Sequence, residues 1–294
     1  MKNFGLIFFF VFFTSTAFGH QWRTEETISF SHDNSFQTKY FTTSDGIKLR
    51  YLSSGKGPTL IIQPGWMMPA DIFKFQLDQL ASYFRVIVLD PRGQGLSGDS
   101  PENNYVERRA RDIDELIEFE KIDSFILAGW SLGVPEVLYY VDKFRTKKLN
   151  GLVLIDGPIT TEPKEVQQGW KTLVHNLQTN RAEFEKHFIS ALFKKEQDST
   201  FVKTIKQRLT KTPTNSSFVA LPTHIAEPKD YSSILAKVDV PVLITLAIWT
   251  FQLENYKQVK GNISIETFQC GHALFVDEAE RFNRLIIEIF SKKH

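Results

Sequence analysis

Phe125-Ile126-Leu127-Ala128-Gly129-Trp130-Ser131-Leu132-Gly133 is the stretch on which the reading of this chain turns. A short apolar run ends in Gly-x-Ser-x-Gly, and apolar residues at helical spacing continue from Pro135 to Lys143. Strand, sharp turn and helix in that order would present Ser131 at the turn, with small residues on either side letting the backbones close up. The Leu132 N–H, at the start of the helix, would then face an oxygen atom bound beside the serine hydroxyl. Gly-x-Ser-x-Gly alone is a weak signal, and the flanking strand and helix supply its specificity.

Outward from this stretch, strands alternate with helices. Lys48 to Ser53 alternates apolar and polar residues, while Thr59 to Gln63 and Phe84 to Asp90 are short apolar runs that end at Pro64-Gly65 and Pro91-Arg92-Gly93. Gly151 to Ile155 ends at Asp156-Gly157, and Val240 to Ile248 and Ile263 to Phe268 complete the strand candidates. The spacing predicts helices over Asp71–Phe84, Val106–Phe119 and Asp277–Phe290. This order predicts a mainly parallel sheet covered on both faces.

Two segments fall outside that alternation. Between residues 159 and 237 the strand pattern gives way to helical periodicity rich in aromatics, as in Trp170, Leu173, Leu177 and Phe184, Phe188, Leu192. A structureless loop of that length is implausible, so a helical lid over a site is expected there. At the N-terminus, Lys2, the apolar run Gly5 to Phe13 and the small residues of Ala17-Phe18-Gly19 read as a signal peptide over residues 1–19. Export to a periplasm or medium follows; an uncleaved anchor is the alternative, weakened by the polar break at Thr14-Ser15-Thr16. The expected division is thus a leader over 1–19, a core over 20–158 and 238–294, and the lid over 159–237.

Composition narrows the function. With 35 basic and 34 acidic side chains the formal charge is +1, without the basic excess of a nucleic-acid binder. A lone cysteine, Cys270, can form neither an intramolecular disulfide nor a thiolate metal site by itself, and no His-Glu-x-x-His spacing occurs. No metal or cofactor is expected, no nucleic acid, and no stable membrane span once the leader is cleaved; the partner is a small-molecule substrate.

A serine nucleophile needs a base and an oxyanion hole. His272 lies in the Gly271-His272 turn directly after the last strand candidate, where it can return to the same sheet edge. The second oxyanion donor falls in Pro64-Gly65-Trp66; proline has no N–H, so the Trp66 amide is the candidate beside that of Leu132.

Taken together, Gln63-Pro64-Gly65-Trp66, the loop Asp90-Pro91-Arg92-Gly93-Gln94-Gly95-Leu96-Ser97, Gly129 to Gly133, and Gly271-His272 followed by Asp277 to Phe282 resemble the α/β-hydrolase fold family, most of all its esterase and haloperoxidase-like branch. The resemblance implies eight strands, a lid between the sixth and seventh, a Ser, acid, His triad, and a largely structural role for Arg92 and Ser97. Two departures stand out. Pro64 occupies a position where relatives usually carry histidine, and the stretch where relatives end strand seven with the triad aspartate reads Ala247-Ile248-Trp249-Thr250. Two carboxylates could substitute: Asp156 at the end of the sixth strand, which is preferred, and Glu254 as the alternative. The expected activity is cleavage of a carboxylic ester, thioester, lactone or amide of a small, partly apolar substrate through an acyl-enzyme. The missing strand-seven aspartate favours a rival reading, a non-hydrolytic small-molecule binding protein; a cofactor-free lyase or perhydrolase would use the same residues.

Overall fold

The computed structural model describes residues 36–144, 146–214 and 230–291. The leader read over residues 1–19 lies outside them. Eight strands form one sheet: β1 Gln37–Thr42, β2 Lys48–Ser54, β3 Thr59–Gln63, β4 Arg85–Leu89, β5 Phe125–Trp130, β6 Leu149–Ile155, β7 Val242–Leu246 and β8 Ile263–Thr267. Their spatial order is β1-β2-β4-β3-β5-β6-β7-β8. Only the β1–β2 and β2–β4 pairs are antiparallel; from β4 through β8 every pairing is parallel.

Period-two side-chain geometry explains why the central strands read as unbroken apolar runs. Leu60, Ile62, Val86, Val88, Ile126, Ala128, Val153 and Ile155 face one core. Ile61, Ile87, Leu89, Phe125, Leu127, Leu152 and Leu154 face the other. On the second face α2 (Val106–Phe119) contributes Ile113, Leu116 and Ile117, and α3 (Gly133–Lys143) contributes Val134, Val137 and Leu138. The first face is covered by α1 (Lys74–Gln79), with Leu77, and by the C-terminal helix Ala279–Phe290, with Phe282, Ile286 and Ile287.

The largest differences from the sequence expectations fall in three places. The helix expected over Asp71–Phe84 is broken into a 3-10 turn at Ala70–Phe73, α1, and a second turn at Leu80–Ser82, because Asp71 pairs with Arg50 while Phe73 stacks on Phe275. β7 spans only Val242–Leu246, since the next residues turn their amides toward Asp156. β1 has no counterpart among the strand candidates: of its residues only Phe41 is buried, so this edge strand carries little apolar signal.

Between β6 and β7 lie α4 (Lys164–Thr179), α5 (Arg181–Leu192) and α6 (Ser199–Lys211). Asn180 caps α5 by accepting from the Glu183 N–H, and Asp198 caps α6 by accepting from the Phe201 N–H. Leu177, Phe184, Ile189, Leu192, Phe201, Ile205 and Leu209 join the first core, so the inserted helices share one hydrophobic cluster with the sheet. No helix among the described residues is long and apolar enough to cross a membrane.

Candidate active site

Ser131, Asp156 and His272 follow the carboxyl ends of β5, β6 and β8, the edge where open α/β sheets bind ligands. Backbone strain marks the place. Four non-glycine residues among those described have positive φ: Met67 (61°), Lys121 (52°), Ser131 (55°) and Asp156 (42°). Lys121 follows the end of α2, an ordinary left-handed helix terminus. The other three stand after β3, β5 and β6, and such conformations persist only where the surroundings over-determine them.

For Ser131 the surroundings are backbone. Its N–H donates to Ile155 O at 2.9 Å and its carbonyl accepts from the Val134 N–H at 3.0 Å, which ties the end of β5 to β6 and to α3. Leu132 caps α3, where first-turn N–H groups have no partner within the helix. Gly133 lets α3 start against β3: a Cβ there would fall 2.5 Å from Gln63 O. Backbone cannot easily retreat, so Gly133→Ala is expected to destabilise the protein by about 1–3 kcal/mol, seen as a lower urea midpoint. Gly65 lies against the serine itself, its position leaving 2.7 Å between an added Cβ and Ser131 Cβ. The Pro64–Trp66 turn is thereby brought over Ser131.

Asp156, fully buried, holds the histidine. Its Oδ2 lies 2.7 Å from His272 Nδ1 and accepts from the Ile248 N–H at 3.2 Å; Oδ1 accepts from the Ala247 N–H at 2.7 Å and the Trp249 N–H at 3.0 Å. Ala247-Ile248-Trp249, which has no carboxylate of its own, thus supplies backbone donors to a carboxylate on the neighbouring strand. Glu254 is elsewhere: its side chain is 75% exposed and paired with Lys257. Behind Asp156, Tyr256 donates to Gly157 O at 2.7 Å, and burial, then the Asp156 charge, push its phenol well above the ordinary range, so it stays a donor.

Trp130, adjacent to Ser131, fixes the loop of His272. Its Nε1 donates to His272 O at 3.1 Å and its ring centroid lies 5.0 Å from the imidazole. It is fully buried and packs edge-on against Phe73 and Phe275, so this tryptophan serves the core and the His272 loop. Asp277 closes the loop from the far side, accepting from the N–H groups of Gly271 (2.8 Å), Lys194 (2.7 Å) and Lys195 (3.2 Å) and from Gln197 Nε2 (3.0 Å). The inserted helices touch the site elsewhere too: Trp66 packs edge-on against Phe184 and Phe188, and Trp170 stacks on Trp249. Sequence reasoning passed over Asp277 as an anchor; its place five residues after the histidine was visible, but three of its four donors are backbone groups.

Arg92 and Ser97 are structural. Arg92 pairs with Asp112 and Asp45, and Ser97 Oγ bridges Asp90 O and the Arg50 N–H. Burial first, then the Asp277 and Asp156 carboxylates, push the Cys270 thiol up to about 12. Alkylation of Cys270 by iodoacetamide at pH 8 is therefore expected to run on the order of a thousandfold slower than that of an ordinary free thiol. Peptide mass spectrometry of native against urea-unfolded protein reads this; equal rates would overturn it. No cluster of three or more His, Cys, Asp or Glu side chains able to hold a metal occurs among the described residues.

Comparison with known proteins agrees with this architecture. A family model described as alpha/beta hydrolase fold matches residues 58–279, and the chain belongs to that family. It is 35% identical over 120 residues to N-formylmaleamate deformylase of Pseudomonas putida, a match covering 40% of this chain and 44% of that one, so it spans under half of that relative's length. It is 30% identical over 158 residues to a bifunctional esterase/perhydrolase of Acinetobacter calcoaceticus, covering 49% of this chain and 56% of the relative. Among solved structures an esterase from Exiguobacterium antarcticum superposes with a TM-score of 0.78 at 22% identity, covering 87% of this chain and all of that one, a likeness of fold.

Proposed function

We propose that this chain is a serine hydrolase that cleaves a carboxylic ester, or the related thioester, lactone or amide, of a small and partly apolar substrate. The observation that carries this reading is the 2.7 Å contact between His272 Nδ1 and the buried Asp156 carboxylate, beside a serine held at positive φ. A carboxylate on Nδ1 fixes the tautomer that leaves Nε2 free to accept a proton. In the proposed cycle His272 takes the Ser131 hydroxyl proton as Oγ bonds to the substrate carbonyl carbon, and the N–H groups of Trp66 and Leu132 stabilise the oxyanion. The imidazolium returns the proton to the leaving group. Water, deprotonated by His272, then attacks the acyl-enzyme and releases the acid with Ser131 restored. Likeness to a deformylase and to an esterase/perhydrolase supports acyl chemistry.

In this reading α4 to α6 act as a lid, and Phe184, Phe188 and Trp170 give it an apolar underside. Export rests on residues 1–19, and sequencing the N-terminus of the protein recovered outside the cytoplasm tests it. The chemistry is tested by treating the protein with a fluorophosphonate ester and locating the adduct by peptide mass spectrometry. An adduct on Ser131 supports the reading; folded protein without one overturns it.

A further inference from the structure

The turn that would carry the Trp66 oxyanion donor lies beyond the end of the β3 ladder. Within Gly65 to Met68 the Met68 N–H donates to Gly65 O at 3.2 Å, and Met67 has a φ of 61°. One buried side chain from the 90–97 loop engages three of this turn's backbone groups. Gln94 Oε1 accepts from the Met67 N–H at 3.0 Å, and Gln94 Nε2 donates to Gly65 O and to Met68 O, both at 2.9 Å. These partners flank Trp66 on both sides.

The same amide continues into the protein. Arg109 Nη2 donates to Gln94 Oε1 at 2.9 Å and Arg109 Nη1 to Glu136 Oε1 at 3.1 Å; Gln63 Nε2 donates to Glu136 Oε2 at 2.5 Å. All four residues are at most 2% exposed. Glu136 sits in the first turn of α3, the helix capped by Leu132, and Gln63 is the last residue of β3. A continuous buried chain therefore runs from the turn on one side of the serine to the helix start on the other.

We propose that Gln94 is a positioning residue that sets the Trp66 N–H relative to the Leu132 N–H, with Arg109, Glu136 and Gln63 coupling the two donors. This rests on the serine hydrolase reading, because it assigns those N–H groups to an oxyanion. The residue type follows from the partners. Two carbonyls and two N–H donors converge on one side chain, which must offer two hydrogens and two lone pairs, the inventory of a carboxamide. Asparagine is one methylene shorter. Glutamate supplies the lone pairs but turns two acceptors toward two carbonyls, and leucine or methionine leaves the Met67 N–H unpaired in a buried place and Arg109 Nη2 with only its 3.3 Å bond to Arg92 O.

The test compares the full chain with Gln94→Leu and Gln94→Glu, one apolar and one acidic, so that one carries the comparison should the other fail to fold. Two quantities are read: kcat for an activated aryl ester per fluorophosphonate-titratable serine, and amide hydrogen exchange of Gly65–Met68. The expected result is a kcat lowered about 10- to 100-fold with KM within about threefold, inhibition by an arylboronic acid weakened by the same factor as kcat, and exchange of the turn accelerated at least about tenfold. Unchanged exchange overturns the proposal. Accelerated exchange with kcat per serine unchanged also overturns it, since Gln94 would then stabilise the turn without serving the reaction. A wild-type chain that neither labels nor hydrolyses any ester would remove the hydrolase reading and the oxyanion assignment with it, while the exchange result separately reports whether Gln94 holds the turn.

Discussion

Ser131→Ala is expected to lower kcat for activated esters by on the order of a millionfold, the scale seen when a hydrolase loses its nucleophile, and to abolish fluorophosphonate labelling while the fold persists. Alanine keeps the Cβ that lies against Gly65, and the bonds at Ser131 that organise the turn use its backbone, the N–H to Ile155 O and the carbonyl to the Val134 N–H. The positive φ is as tolerable for alanine as for serine, so the substitution deletes the hydroxyl and little else. Far-UV circular dichroism and the urea midpoint should match wild type. Hydrolysis retained within tenfold would show that another group attacks the carbonyl and would sink the assignment.

Asp156→Asn should lower kcat by about 10⁴-fold, with KM little changed, by presenting the wrong imidazole tautomer. The hydrogen bonds decide which way the new amide turns. Oδ1 accepts from two backbone N–H groups, those of Ala247 and Trp249, so the amide oxygen is favoured there. Its NH2 then faces the Ile248 N–H and His272 Nδ1. An NH2 opposite Nδ1 makes that nitrogen an acceptor, places the ring proton on Nε2, and leaves His272 without a lone pair for the serine proton. Glu254→Gln should leave kcat within about twofold, since an exposed ion pair of this kind contributes little. Kinetics of both variants on one ester decide between the two carboxylates: loss of activity in Glu254→Gln, with Asp156→Asn near wild type, would reverse the assignment.

Much of the fold was legible because its signals are local. The central strands are buried on both faces and read as continuous apolar runs, and α2 matches its predicted limits, Val106–Phe119, because its apolar stripe repeats at helical spacing. Legibility failed where burial is one-sided or contacts override propensity. β1 buries a single aromatic, and the 71–84 segment is broken by the Arg50–Asp71 pair and by the stacking of Phe73 on Phe275. The inserted helices were visible as helices, but their sharing of one core with the sheet was not, since an amphipathic stripe does not say what covers it.

By itself the sequence determined the alternation of strands and helices from β2 onward, the turn that holds Ser131 and the place of His272 after the last strand. Each is written in residue type and spacing over a dozen residues or fewer, where steric and hydrophobic preferences act directly. Only the tertiary structure decided what surrounds those two residues. Asp156 meets His272 across 116 residues of chain, and Ala247, Ile248 and Trp249 hold its carboxylate through backbone N–H groups that any residue but proline could supply. Gln94 and Asp277 likewise engage mainly main-chain atoms of distant segments. A backbone partner leaves no mark in residue identity, and so these contacts emerge only once the chain has folded.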